Sequence, residues 1–381
     1  WAVASGSIAA VRAMEGGAEN VVDAWRGPYG GLVELGTLGV AVPEDLGGAG
    51  GSIADLCVMV DEAAAALVPG PVATTALATL VITDAALLEA LASGQRTAGL
   101  ALTSDIAFDG QAATGTAKFV LGALPDGLLI LPAGDTWILV DAAAAGVTVT
   151  PLEATDFSRP LARVELTGAA ATVLDAPVAD LAVTVLAAEA AGLARWQLET
   201  AAEYAKVREQ FGKPIGSFQA VKHMCAEMLL RSQQIAVAAS DAAEAAVEGD
   251  ATQLSIAAAV AAAAAIDAAK HNGRDCIQVL GGIGFTWEHD AHLYLRRAYA
   301  TSQILGGHGS WLRRVAALTR AGLRRQLHVD TGAAETIRPE IAAVVAQIAA
   351  LPVEKHQAAL AEAGLMAPHW PAPYGRAASP G

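Results

Sequence analysis

The chain has 381 residues, 54% hydrophobic and 17% charged, which excludes a disordered chain and gives apolar mass for two or three domains. Aromatic residues make up only 5%, and alanine carries much of the apolar content, a composition that favours closely packed helices. Lys and Arg number 24 against 39 Asp and Glu, and a surface of net charge −15 repels nucleic acid and anionic membrane, so neither is expected as a partner.

Residues 1–96 read as a helical domain. Val42–Gly51 is a glycine-rich loop, and Ser52 with Asp55 forms a capping-box start for a helix carrying Ile53, Leu56, Cys57, Val60 and Ala64 on one face. Pro69-Gly70-Pro71 breaks the chain before a further helix that runs to about Ala92. Residues 97–176 change character. Short β-like runs at Ala98–Thr103, Ala117–Leu121, Gly127–Leu131, Trp137–Val140, Gly146–Pro151 and Ala162–Leu166 are separated by Gly, Pro and Asp, which predicts a small β domain. Residues 177–330 return to helix, with long segments at Val183–Arg208, Gln219–Val237 and Ala251–Asn272 and shorter ones at Asp290–Ala300 and Ser310–Arg320. Long helices on short loops make an antiparallel bundle. The fold class expected is α+β, mostly α. The apolar run Leu254–Ile266, ended by Asp267, reads as too short and too weakly hydrophobic to span a bilayer. Cys57, Cys225 and Cys276 have no CxxC spacing and read as free thiols of a reducing, cytoplasmic compartment. The chain starts at Trp1 without a Met, and preceding residues are expected.

Residues 331–381 stand apart and contain a repeat. Leu32, Glu34, Gly36, Pro43 and Gly47 recur as Leu360, Glu362, Gly364, Pro371 and Gly375, at a constant offset of 328 residues. Both stretches suit a helix-to-loop junction; the offset also fits a second copy of the whole unit that begins near residue 335.

Two segments carry chemistry. Tyr204–Gln219 places Arg208 and Phe211 at a corner between a helix ending at Gly212 and one starting at Ser217. A cation, an aromatic ring and a helix N-terminus suit a pyrophosphate with an attached base, and equally an ordinary surface ion pair. Gln278–Thr286 contains Gly281, Gly282 and Gly284, which permit close backbone approach or simply a tight turn; it is not a Rossmann fingerprint. His289 and His292, at i and i+3, would share a helical face near Glu288 and Asp290, but no metal site is assigned.

Arg208–Gln219, followed by Gln278–Gly284 and then Leu295-Arg296-Arg297-Ala298, resembles the acyl-CoA dehydrogenase family, and the resemblance covers about residues 15–325. It implies an N-terminal helical domain, a middle β barrel, a C-terminal four-helix bundle, noncovalent FAD and oxidation of acyl-CoA thioesters to 2-enoyl-CoA. It implies that Arg208 binds the FAD pyrophosphate, that Phe211 packs beside the cofactor, and that Gln278, Gly281 and Gly282 border its adenosine end. In the family these elements reach FAD seated in the neighbouring unit of a dimer or tetramer-like assembly, and electron-transfer flavoprotein is the expected acceptor. The family's catalytic carboxylate is missing. Its usual position falls on Leu305, or on Tyr299 with a gapped alignment; the alternative position near the first bundle helix falls on Ala182. Glu189 reads as a buried or interface residue and is the remaining, weaker candidate base. The flavin-facing hydroxyl is replaced by Leu121, and only Leu102-Thr103-Ser104-Asp105 survives of the loop beside it. The resemblance therefore implies the first half of a two-unit actinobacterial enzyme for steroid-CoA esters, contributing FAD contacts but lacking the base. A complete short-chain acyl-CoA dehydrogenase and a noncatalytic scaffold subunit are the alternatives.

Overall fold

The computed structural model describes residues 5–15, 23–327 and 332–378 and divides the chain into two compact units, Trp1–Arg325 and Gln326–Gly381. The domain boundary expected at 330/331 lies outside the described residues.

The first unit opens with α1 (Ser7–Glu15), α2 (Arg26–Glu34), α3 (Ile53–Ala65), α4 (Val72–Val81) and α5 (Ala85–Ala92). The α3 start is a true capping box: the Ser52 N–H donates to Asp55 Oδ2 at 2.8 Å, and the Asp55 N–H donates to Ser52 Oγ at 3.3 Å. The helix expected to run on to Ala92 is two helices, because Asp84 accepts from the Leu87 N–H and starts α5 afresh.

The middle domain contains β1 (Ala98–Leu100), β2 (Asp105–Phe108), β3 (Ala112–Leu121), β4 (Leu128–Ala133), β5 (Thr136–Asp141), β6 (Val147–Pro151), β7 (Leu161–Ala170) and β8 (Thr172–Val173). β2 and β8 were missed by the sequence reading: one is four residues long and the other two, too short for a period to show. The hydrogen-bonded path runs β6-β7-β3-β1-β4-β5-β8, with β2 on β3, so the sheet curls without closing among the described residues. Its inner face is a separate core built on Val120, Leu129, Leu131, Ile138 and Val164.

The helical end of this unit comprises α6 (Val178–Val207), α7 (Gln219–Glu248), α8 (Ala251–Leu280), α9 (Ala291–Ile304) and α10 (His308–Arg320). Glycine and alanine let these helices approach closely: a Cβ on Gly192 of α6 would lie 2.1 Å from the Asp61 carbonyl oxygen of α3. α6 begins five residues earlier than expected, which places Ala182 inside the helix rather than ahead of it. The bilayer expectation also needs correction. The apolar character continues past Asp267: within the 35-residue helical stretch Ala251–Phe285 an 18-residue window has mean hydropathy 1.5, long and apolar enough to cross a membrane by length and composition. Of that window 61% is buried, with Leu254, Ala258 and Ile266 in the protein core.

The second unit holds α11 (Arg338–Ala349) and α12 (Val353–Glu362). Its backbone reproduces the end of α2 and the loop beyond. Gly36 (φ 75°) and Gly364 (φ 70°) both take the left-handed conformation after their helices. The bonds Gly36 N–H to Val33 O, Val42 N–H to Gly39 O and Leu46 N–H to Pro43 O recur as Gly364 to Ala361, Trp370 to Ala367 and Tyr374 to Pro371. The loop then shortens by one residue: Gly50 to Val42 and Gly51 to Val40 recur as Ala377 to Trp370 and Ala378 to Pro368. Ala377, at φ 52°, stands in the left-handed position of Gly50. The environments differ. Leu38 and Val42 are fully buried, whereas Met366 and Trp370 are 54% and 53% exposed.

Candidate functional site

α6 stops at Val207, not at Gly212. Arg208 is extended (φ −72°, ψ 121°), and Glu209–Gln210 (β9) pairs with Lys213–Pro214 (β10) in a tight hairpin. Its two turn residues, Phe211 (φ 54°) and Gly212 (φ 76°), are both left-handed, as the short hairpin turn that matches strand twist requires. The hairpin is the element that periodicity could not show. It carries Phe211 outward, 92% exposed, edge-on to Phe218 at 6.0 Å, with Lys213 Nζ 4.4 Å from the Phe218 ring. Arg208 is exposed, and its side chain makes no hydrogen bond or ion pair among the described residues, whereas Lys206 pairs with Glu203 at 2.5 Å.

The glycine segment follows α8. Gly281 adopts φ 64°, ψ −134°, a conformation closed to side chains, and Gly281–Phe285 forms a 3₁₀ turn. Gly284 is pressed on Ile277, where a Cβ would meet the carbonyl oxygen at 2.6 Å, while a Cβ on Gly281 or Gly282 would meet nothing within 4 Å. Gln278, Gly281 and Gly282 are exposed. Both segments rest on one small core of Ala201 and Ala205 from α6, Met228 from α7, and Cys276, Val279 and Leu280 from α8. Arg208, Phe211, Gln278, Gly281 and Gly282 therefore lie at one end of the bundle. Lys206, Lys213 and Lys222, three of the chain's six lysines, are there too, and a 290 Å³ cleft lies between Lys206, Pro214, Val221, Lys222 and Cys225. His289 is not on α9 but precedes it, its Nδ1 accepting from the Ala291 N–H at 3.1 Å. Among the thiols, Cys225 is half-buried, and burial pushes Cys57 and Cys276 up to about 12.

The positions expected for a base are closed. Ala182 is fully buried, and Leu305, 3% exposed, ends α9 ahead of the left-handed Gly306 and Gly307. Glu189 is 4% exposed, and its Oε2 accepts from Arg159 Nη1 at 2.6 Å and from Thr301 Oγ1 at 3.3 Å. The weaker candidate base is thus buried and held in an ion pair with Arg159. Asp156 accepts from Arg159 Nε at 2.6 Å and lies 3.8 Å from Arg297 Nε. Arg297 Nη2 donates to Ser158 Oγ at 2.6 Å, and its Nη1 donates to Val68 O at 3.1 Å. Two carboxylates and two guanidiniums thus balance inside the protein and join the β6–β7 loop, α6, α9 and the N-terminal domain. Sequence reading missed this network. Its signals were the Asp156–Arg159 spacing and the adjacent pair Arg296-Arg297.

The fit to FAD is divided. At the bundle end, a free guanidinium, an exposed ring and open glycine backbone fit a pyrophosphate and its adenosine. At the centre, Leu121 is 4% exposed and paired with Leu100 and Leu161, and Ser104 Oγ donates to Pro132 O. Neither offers a hydroxyl to a flavin ring, so the centre does not fit.

Comparison with known proteins agrees with this architecture. Residues 8–96 match the acyl-CoA dehydrogenase N-terminal domain, and residues 180–319 match the acyl-CoA dehydrogenase C-terminal domain. Acyl-CoA dehydrogenase FadE34 of Mycobacterium tuberculosis is 65% identical across the full chain, which spans only 55% of FadE34. Acyl-CoA dehydrogenase IpdE2 of the same organism is 36% identical over 74% of this chain and 83% of its own length. Among solved structures, a Tcur3481-Tcur3483 steroid ACAD variant superposes with TM-score 0.72 at 29% identity, covering 84% of this chain and 94% of that one. The ChsE4-ChsE5 complex from Mycobacterium tuberculosis gives 0.69 at 27%, covering 83% and 94%. With matched domains at both ends and a relative similar over most of its own length, the chain belongs to the acyl-CoA dehydrogenase family.

Proposed function

We propose that this chain is the cofactor-contributing half of a two-unit acyl-CoA dehydrogenase, acting on a bulky, steroid-type acyl-CoA thioester. The observation that carries the reading is the contrast between the two ends of the site: an unpaired, exposed Arg208 beside open glycine backbone, and a centre closed over Leu305, Ala182 and the ion-paired Glu189. The repeated backbone in Gln326–Gly381 and the greater length of FadE34 support a second unit in the same polypeptide. The similarity to FadE34 supports an acyl-CoA thioester, and that to a steroid ACAD supports the steroid-type acyl group.

FAD, the cofactor of the family, accepts the β-hydride when bound. Toward the FAD of the neighbouring unit, Arg208 would pair with a phosphate, Phe211 would shield the ring system, and the Gly281 and Gly282 backbone would approach the adenosine end. The neighbouring unit supplies the base, and electron-transfer flavoprotein is the proposed acceptor. Arg208→Ala in the full-length protein is expected to weaken FAD binding by roughly tens- to a thousand-fold, because a desolvated phosphate loses its partner. Flavin fluorescence measures the affinity. Unchanged FAD retention would reject the contributing role.

A further inference from the structure

The ten residues Gly281–Asp290 connect α8 to α9 and include the glycines of the cofactor edge. Ile283 and Gly284 pack back onto the small core at the end of α8, but beyond them apolar packing thins out: Phe285 and Trp287 are 78% and 62% exposed. Their own hydrogen bonds are local, such as Thr286 Oγ1 to Ile283 O at 2.8 Å and Ala291 N–H to His289. One side chain grips the stretch from elsewhere. Arg12 of α1 donates through Nη1 to Trp287 O at 2.6 Å and through Nη2 to Glu288 O at 3.0 Å. Its Nε and Nη2 both reach Asp290 Oδ1, at 2.9 and 2.6 Å. Among the described residues, no other side chain outside the α8–α9 stretch hydrogen-bonds to it. A planar guanidinium that fills two carbonyls and a carboxylate at once fixes both the position and the direction of a loop. Arg12 is itself held, because its neighbour Val11 is buried in the main core. Arg296 adds a second brace, lying 5.3 Å over the Trp287 ring while donating to Thr155 O at 3.1 Å.

We propose that Arg12 is a positioning residue for the glycine edge, setting from the N-terminal helix the backbone on which Gly281 and Gly282 meet the cofactor. This rests on the cofactor-contributing reading above. Arg12 touches no cofactor; it acts by keeping the Trp287–Asp290 half of the loop in one place, so that the glycine half has one conformation to offer.

The experiment compares Arg12→Ala, Arg12→Lys and Arg208→Ala in the full-length protein, with FAD affinity from flavin fluorescence and loop opening from amide hydrogen exchange. Arg12→Ala is expected to speed exchange across Thr286–Ala291 and to weaken FAD about three- to thirty-fold, the range for a support that makes no ligand contact. Arg12→Lys, which can reach Asp290 or a carbonyl but not all three groups, should fall between parent and alanine variant. Arg208→Ala should weaken FAD without altering exchange in the loop. Unchanged exchange in Arg12→Ala, or unchanged FAD affinity in Arg12→Ala while Arg208→Ala weakens it, would overturn the positioning role. If Arg208→Ala is also without effect on FAD, the contributing reading falls and this inference falls with it.

Discussion

Asp156 is a fully enclosed carboxylate between two guanidiniums. Burial alone would raise its pKa, but Arg159 and Arg297, with Ser158, outweigh burial and hold it below the usual carboxylate range. A depressed folded-state pKa contributes stability that is present above the unfolded value of about 3.9 and is lost as pH falls through the folded value. Asp156→Asn is therefore expected to cost about 3–5 kcal/mol near neutrality, since it leaves buried guanidinium charge uncompensated. The gap to the parent protein should narrow as pH falls below about 4, where the unfolded chain's carboxyl takes up a proton first, and should keep narrowing until pH passes the depressed folded value. Thermal melts from neutral to acid pH check this; a penalty that stays constant through the acid limb would contradict it. Glu189 is buried as its sequence position suggests, but only the fold supplies Arg159 as its counter-ion.

At the scale of elements, the packing of α3 on α6 depends on the absence of one methyl group. A Cβ at Gly192 would fall 2.1 Å from Asp61 O and 3.0 Å from Ala65 N, backbone atoms that cannot swing away. Gly192→Ala is expected to destabilise the first unit by about 1–3 kcal/mol, through forced separation of the helices. Gly282→Ala, which meets open space, is the matched control and should melt as the parent does. Long elements were legible in the sequence because their periods repeat: α3, α7 and α8 begin within a residue of where composition and caps place them, and β1, β4, β5 and β6 fall on the apolar runs. The unread elements are those whose cause is tertiary. The β9–β10 hairpin spans six residues with a non-glycine, Phe211, in the left-handed region, where local preference points elsewhere. α7 and α8 outrun their expected ends because alanine-rich turns carry no stop signal until Gly249 and Gly281.

At the scale of the molecule, the candidate site was half legible. The residues proposed to meet the cofactor, Arg208, Phe211, Gln278, Gly281 and Gly282, lie in two short windows, so they could be picked out from local sequence. The closed centre assembles Asp156, Glu189 and Arg297 from three parts of the chain, and no window contains them together. The proposed division of labour predicts that residues 1–330, supplied with FAD, acyl-CoA esters including steroid-CoA, and a ferrocenium acceptor, do not form enoyl-CoA. A positioned base contributes roughly 10²–10⁴-fold to proton abstraction, and Leu305 and Ala182 supply none. Robust turnover abolished by Glu189→Gln would reverse the assignment.

The charge-balanced interior also bears on whether residue 305 could accept a carboxylate. Leu305 N–H bonds to Thr301 O at 3.0 Å, so residue 305 lies one helical turn from the residue that donates to Glu189. A glutamate placed there would enter a buried apolar position beside a cluster whose positive charges are already matched, and it would find no counter-ion. Leu305→Glu is accordingly expected to lower the melting temperature rather than yield enoyl-CoA. On the proposed reading the interior would act as a ratchet: while Asp156 and its partners fasten the domains, drift could keep altering the exposed rim, but a carboxylate installed at residue 305 by a single step would meet an interior whose charges are already matched.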